Sequence, residues 1–286
     1  MIKFSVVKMG MHFARLGALH VGDKERVAIM GVLNLDPHSF YSGSSFASAN
    51  EAFTIAVKMI EEQVDIIDIG GASSAPGAPT VSVAIEKKRV RKLIRRLTTD
   101  FDVPLSIDTQ RASVAKDALA CGATIVNDVS GLKSDADMAQ IIQDAGASCI
   151  LMAANQRPGD CHSIPQILSA LRESLQLATT ANIPLHHIVI DPGIGFGKPV
   201  ECDLQIIRNL GIFRELDRPI LLGISRKNFI GKVLGYSLPE DRLYGSLAAT
   251  TVAVLKKIHV IRTHDVSPTN DCVRMVQALE FTNGCD

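Results

Sequence analysis

Polar side chains that could bind a ligand follow a series of short apolar runs along this chain of 286 residues. They are Asn34, Asp68, Asp108, Asn127 with Asp128, Asp191, the triplet Ser225-Arg226-Lys227 and the quartet Arg262-Thr263-His264-Asp265. Carboxylates and amides could hold a small polar ring compound, and the cations could hold an anionic leaving group. A single Asp after a strand is most simply a helix N-cap. The inference of a binding site therefore depends on the recurrence of polar residues after several strands.

The carboxylates of this set would repel one another in a mouth of low dielectric unless opposite charge or a donor-rich ligand offsets them. Lys227 and Arg262 could supply part of that charge. The 2-amino-N3 edge of a pterin could supply the rest, because it gives a carboxylate two parallel hydrogen bonds. Arg262 and His264 are two residues apart, so on a strand they face the same side and could clamp one anion. In the alternative, Arg262 pairs with Asp265 at the rim.

Other motifs argue against nucleotide, metal and disulfide chemistry. The run Gly193-x-Gly195-x-Gly197-Lys198 lacks the spacing of a nucleotide phosphate loop, and its glycines are better explained by a sharp turn of the backbone. The eight His show no HxH or HExxH spacing, which disfavours a dedicated transition-metal site. The six Cys are scattered, as expected of reduced thiols in the cytoplasm.

The elements that would position these residues alternate between two kinds. Eight β-rich runs are predicted as strands, at 27–33, 64–69, 103–107, 124–126, 147–152, 187–190, 219–223 and 258–261. Amphipathic segments predict helices at 48–63, 81–97, 112–121, 135–145, 164–181, 201–216, 242–257 and 270–280. Eight repeats of strand and helix predict a (β/α)₈ TIM barrel, with active residues at the carboxyl ends of its strands. An open doubly wound sheet, the alternative, usually has fewer strands.

Composition and length indicate one globular domain. Hydrophobic residues make up 47% of the chain and charged residues 21%, and no linker divides residues 1–286. We expect residues 1–26 to form a hairpin or cap that turns at Gly22-Asp23, and residues 27–280 to form the barrel. Thirty basic residues balance thirty acidic ones, and no apolar run reaches about 18 residues, so we expect neither a nucleic-acid nor a membrane partner.

The ordered motifs at the predicted strand ends resemble those of the dihydropteroate synthases, which are pterin-binding barrels. The resemblance covers about residues 27 to 280 and rests on Met30-Gly31-Val32-Leu33-Asn34, Asp68-Ile69-Gly70-Gly71, Ser106-Ile107-Asp108-Thr109, Asn127-Asp128-Val129-Ser130-Gly131, Asp191 to Lys198, Ser225-Arg226-Lys227 and His264-Asp265-Val266. It implies a transferase that joins 6-hydroxymethyl-7,8-dihydropterin diphosphate to an arylamine, usually 4-aminobenzoate, and releases pyrophosphate.

The resemblance also implies a role for each matching residue. On the pterin side, Asp68, Asp108, Asn127 and Asp191 would face the ring's amino and N–H groups, and Lys227 its carbonyl. On the diphosphate and arylamine side stand Asn34, Ser74, Asn228, Arg262 and His264, with Mg²⁺ near Asn34. Arg262 and His264 would stabilise the leaving group, and Asp108 and Lys227 would support the ring as charge develops on it. A homodimer formed by late helices is also implied, with the apolar run 247–255 as a candidate face.

The sequence departs from the family pattern on the diphosphate and arylamine side. The usual Glu-Ser-Thr-Arg-Pro after the Gly pair is Ala72-Ser73-Ser74-Ala75-Pro76, and the usual Thr-Pro-Asp-Ser-Phe of the first loop is Asp36-Pro37-His38-Ser39-Phe40. A Met-His pair after the fifth strand is replaced by Met152-Ala153, and a serine after Ser-Arg-Lys is replaced by Asn228. The arginine of the usual second loop is replaced by Ala75, so one cationic contact to the diphosphate is lost.

These changes leave three functions open. The first is a synthase that uses 4-aminobenzoate or, as in some archaea, a ribofuranosyl-aminobenzene phosphate, for folate or tetrahydromethanopterin biosynthesis. The second is a pterin-dependent methyltransferase of the same superfamily, against which the retained Ser225-Arg226-Lys227 and Arg262 argue. The third is a non-catalytic pterin-binding homologue.

Overall fold

A computed structural model describes residues 12–35, 49–72 and 81–280 of the chain. Its strands are β1 Phe13–Leu16, β2 Leu19–Gly22, β3 Ala28–Asn34, β4 Ile66–Gly70, β5 Leu105–Asp108, β6 Ile125–Asp128, β7 Ser148–Met152, β8 Ile188–Asp191, β9 Leu221–Gly223 and β10 Val260–Thr263. Its α-helices are α1 Ala49–Glu61, α2 Val83–Asp100, α3 Ala112–Leu119, α4 Met138–Asp144, α5 Ile164–Thr180, α6 Val200–Arg208, α7 Asn228–Leu234, α8 Leu243–Leu255 and α9 Val266–Glu280. Within these ranges no helix has both the length and the apolar character needed to cross a membrane.

The strands β3 to β10 form one parallel sheet that closes on itself. Their order is β8-β7-β6-β5-β4-β3-β10-β9, and Ile190 of β8 bridges Ile220 beside β9. The N–H of Ile190 donates to the carbonyl of Pro219 at 3.0 Å, which joins the two ends of the sheet. The predicted eight-stranded α/β barrel is therefore confirmed.

Alternate residues of each barrel strand face the interior, and this alternation divides the core into two parts. Outward residues such as Ile67, Ile107 and Leu151 pack with the helices into one large cluster. The inward residues of the lower barrel form a second cluster, which contains Ala28, Met30, Ile66, Ile125, Ile150, Val189, Leu221 and Val260. Because this lower layer is apolar, the inward polar residues that face the mouth lie above it, at the carboxyl ends of the strands. Ser148, at the amino end of β7, faces the hairpin instead, where its Oγ accepts from the N–H of Gly17 at 3.2 Å.

The antiparallel hairpin of β1 and β2 closes the amino-terminal end of the barrel. Its inward residues Ala14, Leu16 and Val21 belong to the same cluster as the lower barrel layer. The hairpin itself was predicted, but the predicted turn at Gly22-Asp23 is wrong. The chain turns instead at Gly17-Ala18, where Gly17 has φ +62°, and a Cβ at Gly17 would collide with the side chain of Thr124.

The helices differ from the predictions most clearly at α6, α7 and α9. The segment predicted as a single helix at 201–216 is α6 followed by a 3₁₀ turn at Leu210–Leu216. The last helix begins at Val266 rather than at residue 270, because Val266 and Thr269 are buried against the barrel. Helix α7 was not predicted at all; it is short, buries Phe229 and Ile230, and ends at Gly235 with φ +74°.

A polar network ties the hairpin to the floor of the barrel. Asp23 accepts hydrogen bonds from His12 Nδ1 at 2.9 Å, from His259 Nε2 at 3.1 Å and from Arg214 Nη2 at 2.9 Å. In the parts of the chain described, His12, Asp23 and His259 form the one group with the spacing of metal ligands. The N–H of Ile220 donates to His259 Nδ1 at 2.9 Å, which places the ring proton of a neutral His259 on Nε2. That proton and the nearby Arg214 guanidinium both oppose a metal ion there.

Acid should weaken this network through His259. Burial lowers the pKa of His259 to about 4, so the folded protein favours the neutral ring. The contribution of neutral His259 to the free energy of unfolding is therefore complete above the ordinary pKa of 6.5. It is lost as pH falls from 6.5 towards 4, by about 1 to 2 kcal/mol between pH 7 and pH 5. Urea unfolding should therefore show a steeper loss of stability in the wild type than in His259→Asn. The exposed His162→Asn should keep the wild-type slope, and equal slopes in all three proteins would contradict this account.

Candidate functional site

A polar layer lies directly above the apolar layer, at the carboxyl ends of the barrel strands. Its inward residues are Asp68, Ser106, Asp108, Asn127, Asp191 and Arg262. Strand register places them side by side, since Asp68 pairs with Ser106 and Asp108 pairs with Asn127. The structure thus brings together the predicted pterin-side residues and also Arg262, which was predicted on the diphosphate side.

Arg262 bridges two buried carboxylates across the mouth of the barrel. Its Nε donates to Asp68 Oδ2 at 2.7 Å, and its Nη2 donates to Asp108 Oδ2 at 2.9 Å. Asn127 Nδ2 also donates to Asp68 Oδ2, at 3.0 Å. Burial alone would lower the pKa of Arg262, but Asp68 and Asp108 raise it above its ordinary value. The guanidinium therefore stays charged and compensates the acids of the layer.

Asp68 Oδ1 and Ser106 Oγ, at paired positions on β4 and β5, are buried without a hydrogen-bond partner among the described residues. An unsatisfied buried polar group costs about 1 to 3 kcal/mol. A ligand that brings N–H groups to this layer would offset that cost.

Asp191 and Lys227 form the opposite side of the mouth. Asp191 Oδ1 accepts from the N–H of Gly193 at 2.7 Å, and burial raises the pKa of Asp191 while the charge of Lys227 acts against that rise. The ammonium of Lys227 donates to the carbonyl of Ile194 and lies 4.5 Å from the centre of the Phe196 ring. Burial lowers the pKa of Lys227 to about 8. A flat ring compound could lie between these charged groups.

The glycine run after β8 is a turn that makes room for Lys227. Gly193, Gly195 and Gly197 have φ of +76°, +74° and +71°, in the left-handed region that favours glycine. A Cβ on Gly195 would collide with the side chain of Lys227. The buried Lys198 folds back and donates to the carbonyl of Gly193 at 2.7 Å. The interpretation of this run as a backbone turn is confirmed.

Asp265 pairs with Arg226, so the predicted alternative in which Arg262 pairs with Asp265 is wrong. Arg226 Nε donates to Asp265 Oδ2 at 2.8 Å, and Arg226 Nη2 donates to Asp265 Oδ1 at 2.7 Å. His264 lies beside this pair, with its Nδ1 3.0 Å from Ser225 Oγ. Burial and the charges of Arg262, Arg226 and Lys227 lower the pKa of His264 to about 3. His264 is therefore neutral near pH 7 in this structure.

Asn34 and Asn228 lie at the rim of the mouth. Asn34 ends β3, and its Oδ1 lies over Gly70, 2.8 Å from where a Cβ on Gly70 would stand. Asn228 is exposed at the start of α7, and its Oδ1 accepts from Arg242 Nη1 at 3.0 Å. Ser74 and the altered loops at 36–43 and 73–76 lie outside the described residues. Asp128 faces away from the barrel interior and accepts hydrogen bonds from the backbone of Ser130 and Leu132, so it stabilises a turn.

Two residues with structural contacts at this site were not singled out from the sequence. Arg242 was placed at the start of a helix, but its side chain is buried and supports both Asn228 and the carbonyl of Arg226. Arg226 was noted only as part of a motif. Strand alternation could not have identified Arg226, because β9 ends at Gly223 and Arg226 lies in the turn that follows, with φ +55°.

Comparison with known proteins assigns this barrel to a class. A model of the pterin binding enzymes matches residues 30–264 of the chain. The dihydropteroate synthase of Bacillus subtilis is 39% identical over 256 residues, which cover 90% of each protein, and that of Escherichia coli K12 is 33% identical over 257 residues, which cover 87% of this chain and 90% of the relative. The fold and the sequence therefore define a pterin-binding barrel.

Solved structures agree with this class. A Clostridium difficile dihydropteroate synthase, crystallised in the presence of pteroic acid, has a TM-score of 0.82 and 37% identity, covering 89% of this chain and 97% of its own. A Xanthomonas albilineans dihydropteroate synthase with 4-aminobenzoic acid has a TM-score of 0.86 and 33% identity, covering 95% and 99%. This chain belongs to the dihydropteroate synthase family.

Removal of Arg262 should destabilise the protein, because two buried carboxylates would lose their shared cation. We expect Arg262→Met to lower the free energy of unfolding at pH 7.5 by about 3 kcal/mol. The loss should shrink at pH 5, because acid relieves the cost of burying a carboxylate that has lost its cation.

The matched control for this measurement is Arg172→Met, which removes an exposed ion pair with Glu215 on the outside of the barrel. That change should cost less than about 1 kcal/mol. If urea unfolding gave the same small change for both variants, the charge compensation assigned to Arg262 would be wrong.

Proposed function

We propose that this chain is a dihydropteroate synthase. It joins the methylene carbon of 6-hydroxymethyl-7,8-dihydropterin diphosphate to the amino nitrogen of 4-aminobenzoate, so that a C–N bond forms and a C–O bond to the diphosphate breaks. The observation that carries the proposal is the buried layer of Asp68, Asp108 and Asn127 around Arg262, which offers hydrogen-bond acceptors to a ring rich in N–H groups. The relatedness to synthases of known structure supports it.

The pterin side would hold the ring through complementary donors and acceptors. Asp108, Asn127 and Asp191 would accept from the amino and ring N–H groups, and Lys227 would donate to the ring carbonyl. Asp68 Oδ1 is buried without a partner within the described ranges, which favours a donor-rich ligand above it. As the C–O bond breaks, positive charge develops on the ring, and the carboxylate of Asp108 would stabilise that charge.

The diphosphate side would stabilise the leaving group. Arg262 supplies a permanent cation, whereas the pKa of His264, lowered to about 3, makes that residue a neutral donor until the diphosphate binds. A neutral imidazole donates from one nitrogen and accepts at the other. If the Ser225 hydroxyl donates to Nδ1, the proton of His264 is on Nε2, where a phosphate oxygen could accept it.

Mg²⁺ fits the donor set on this side. Magnesium prefers oxygen ligands and is commonly held by few protein groups together with substrate phosphates. The amide oxygen of Asn34 at the end of β3 is such a ligand, and the diphosphate would supply others. When bound, the ion would neutralise charge on the departing pyrophosphate.

The second substrate would enter beside Asn228, and the family resemblance assigns Ser74 to the same substrate. We propose 4-aminobenzoate as that substrate. The ribofuranosyl-aminobenzene phosphate is the alternative, because the family resemblance assigns the altered positions to the diphosphate and arylamine side. No general base is required to activate the nucleophile, since an aniline nitrogen is neutral near pH 7, and the proton that the nitrogen loses after C–N bond formation passes to water. The described thiols at Cys121, Cys149, Cys161, Cys202 and Cys272 are free, which supports a cytoplasmic location.

The activity is tested by pyrophosphate release from the dihydropterin diphosphate with Mg²⁺ and each of the two arylamines. We expect release that depends on the arylamine and stops when Mg²⁺ is removed with EDTA. Tight pterin binding without release for either amine would contradict the proposal and support a non-catalytic homologue. Transfer of a methyl group from a reduced pterin to a corrinoid protein would instead identify a methyltransferase.

Two substitutions should weaken pterin binding. Lys227→Ala and Asp191→Asn each remove a charged partner of the ring, at a cost of about 1.5 to 3 kcal/mol, or roughly 10- to 150-fold in Kd. Isothermal titration with 6-hydroxymethylpterin measures this. The control Lys232→Ala changes an exposed lysine on α7 and should leave the affinity unchanged. Equal affinity in all four proteins would show that the pocket is elsewhere.

We also propose a homodimer formed through α8 and α9. These neighbouring helices expose Tyr244 at 81%, Leu255 at 50%, Met275 at 60% and Leu279 at 65%. A surface with so many exposed large apolar side chains is typical of an interface. It includes the end of the apolar run predicted at 247–255.

Charge placed on this surface should separate the subunits. We expect Met275→Glu to lower the mass measured by size-exclusion chromatography with light scattering from that of a dimer to that of a monomer, because an unpaired carboxylate would be buried. Leu177→Glu on α5, where Leu177 is 38% exposed, is the control and should not change the mass. A wild-type monomer, or a Met275→Glu dimer, would rule out this interface.

A further inference from the structure

We propose that Arg226 is a positioning residue: its ion pair with Asp265 holds Lys227 and His264 at a fixed separation and so aligns the pterin with the departing diphosphate. The inference rests on the proposed function of the site. Arg226 is next to Lys227 in the chain, and Asp265 is next to His264. The ion pair therefore joins the end of β9 to the end of β10, where those two residues lie.

The side chain of Arg226 is held from two directions. Its Nε and Nη2 donate to the two oxygens of Asp265, at 2.8 and 2.7 Å. Its Nη1 donates to the carbonyls of Pro239 and Glu240, at 2.9 and 2.8 Å, in the segment that precedes α8. Arg226 is only 6% exposed. A buried guanidinium with a bidentate carboxylate partner has little freedom to move.

The backbone of Arg226 is held as well. The N–H of Arg226 donates to Ser246 Oγ at 2.8 Å, and Arg242 Nη1 donates to the carbonyl of Arg226 at 3.1 Å. Arg226 has φ +55°, and the N–H of Lys227 closes a turn onto the carbonyl of Ile224 at 3.3 Å. That turn position favours glycine. An arginine can remain there because its side chain and both of its backbone polar groups are anchored.

The same contacts extend to His264. Ser225 Oγ accepts from the backbone N–H of His264 at 3.2 Å, and His264 Nδ1 lies 3.0 Å from the same oxygen. The Ser225 hydroxyl is also 3.4 Å from Asp265 Oδ2. Arg226 thus has Lys227 on one side and, through Ser225 and Asp265, His264 on the other. Movement of Arg226 would shift both residues relative to each other.

The test compares Arg226→Gly with Arg226→Ala and Asp265→Asn. Glycine suits φ +55° and alanine does not, so a residue that matters only for its backbone would tolerate Gly and be harmed by Ala. If the anchored side chain aligns the site, both changes should lower kcat at least about tenfold, because small misplacements of reacting groups slow catalysis strongly. The KM for the arylamine should change less than about threefold.

Three further measurements complete the test. Asp265→Asn should lower kcat by a similar factor, and the double variant Arg226→Gly with Asp265→Asn should lose little more than either single variant. The Kd for 6-hydroxymethylpterin should rise about threefold or more in Arg226→Gly, since Lys227 would be less fixed. Urea unfolding gives the folded fraction of each variant, and kcat is expressed per folded molecule. A loss of catalytic alignment is thereby distinguished from a loss of stability.

Two matched controls lie outside the site. Arg91→Ala removes another bidentate pair, in which Arg91 Nε donates to Asp117 Oδ2 at 3.0 Å between α2 and α3. Gln63→Gly relieves a positive φ of 64° at an exposed residue. Neither change should alter kcat or the pterin Kd.

The outcomes separate this inference from the proposed function. If the wild type releases no pyrophosphate with either arylamine, the proposed function fails, and the pterin Kd of Arg226→Gly then decides the positioning role. A kcat and a pterin Kd within about twofold of wild type for Arg226→Gly would overturn the inference. The inference would also be overturned if kcat fell in Arg226→Ala but not in Arg226→Gly, because the backbone conformation alone would then account for the effect.

Discussion

The structure depends on the burial of charge at one end of an otherwise apolar barrel. Arg262 lies between Asp68 and Asp108, directly above a layer of aliphatic side chains. In such an environment neither acid could remain ionised without a close cation, and the cation would be equally costly alone. The positive charge of Arg262 and the negative charges of the two acids therefore stabilise one another. The carboxylates stay ionised and can accept hydrogen bonds from a ligand that brings donors.

This constraint explains the arrangement around it. The hairpin and the lower layer exclude water from below, so the polar residues have access to solvent only from the mouth. The glycine turn after β8 lets Lys227 cross towards Asp191, and the short helix α7 begins immediately after Lys227. Arg226, which precedes Lys227 in the turn after β9, directs its charge away from the mouth to Asp265. Two cations that are adjacent in the chain thus have separate partners.

Much of this could be predicted from the sequence, because a parallel barrel has a strong pattern. Buried strands read as apolar runs, and Asp68, Asp108, Asn127 and Asp191 at their ends had to converge once the strands closed. Pairing among side chains was harder, since proximity along the chain favoured Arg262 with Asp265, whereas the neighbouring strand supplied Arg226. The hairpin turn was misplaced because Gly17 and Gly22 are both plausible turn residues. In the fold, Gly17 has φ +62° and lies against Thr124, whereas Gly22 ends β2 beside the backbone of His12.

The central claim is that the buried acids and Lys227 form a pterin site, and a crystal structure with bound 6-hydroxymethylpterin tests it most directly. The account predicts the ring in the mouth of the barrel, with its N–H groups on Asp108, Asn127 and Asp191. The Lys227 ammonium would leave the carbonyl of Ile194 for the ring carbonyl. A ring bound elsewhere, with Lys227 still on Ile194 and Arg262 alone satisfying the acids, would contradict the account.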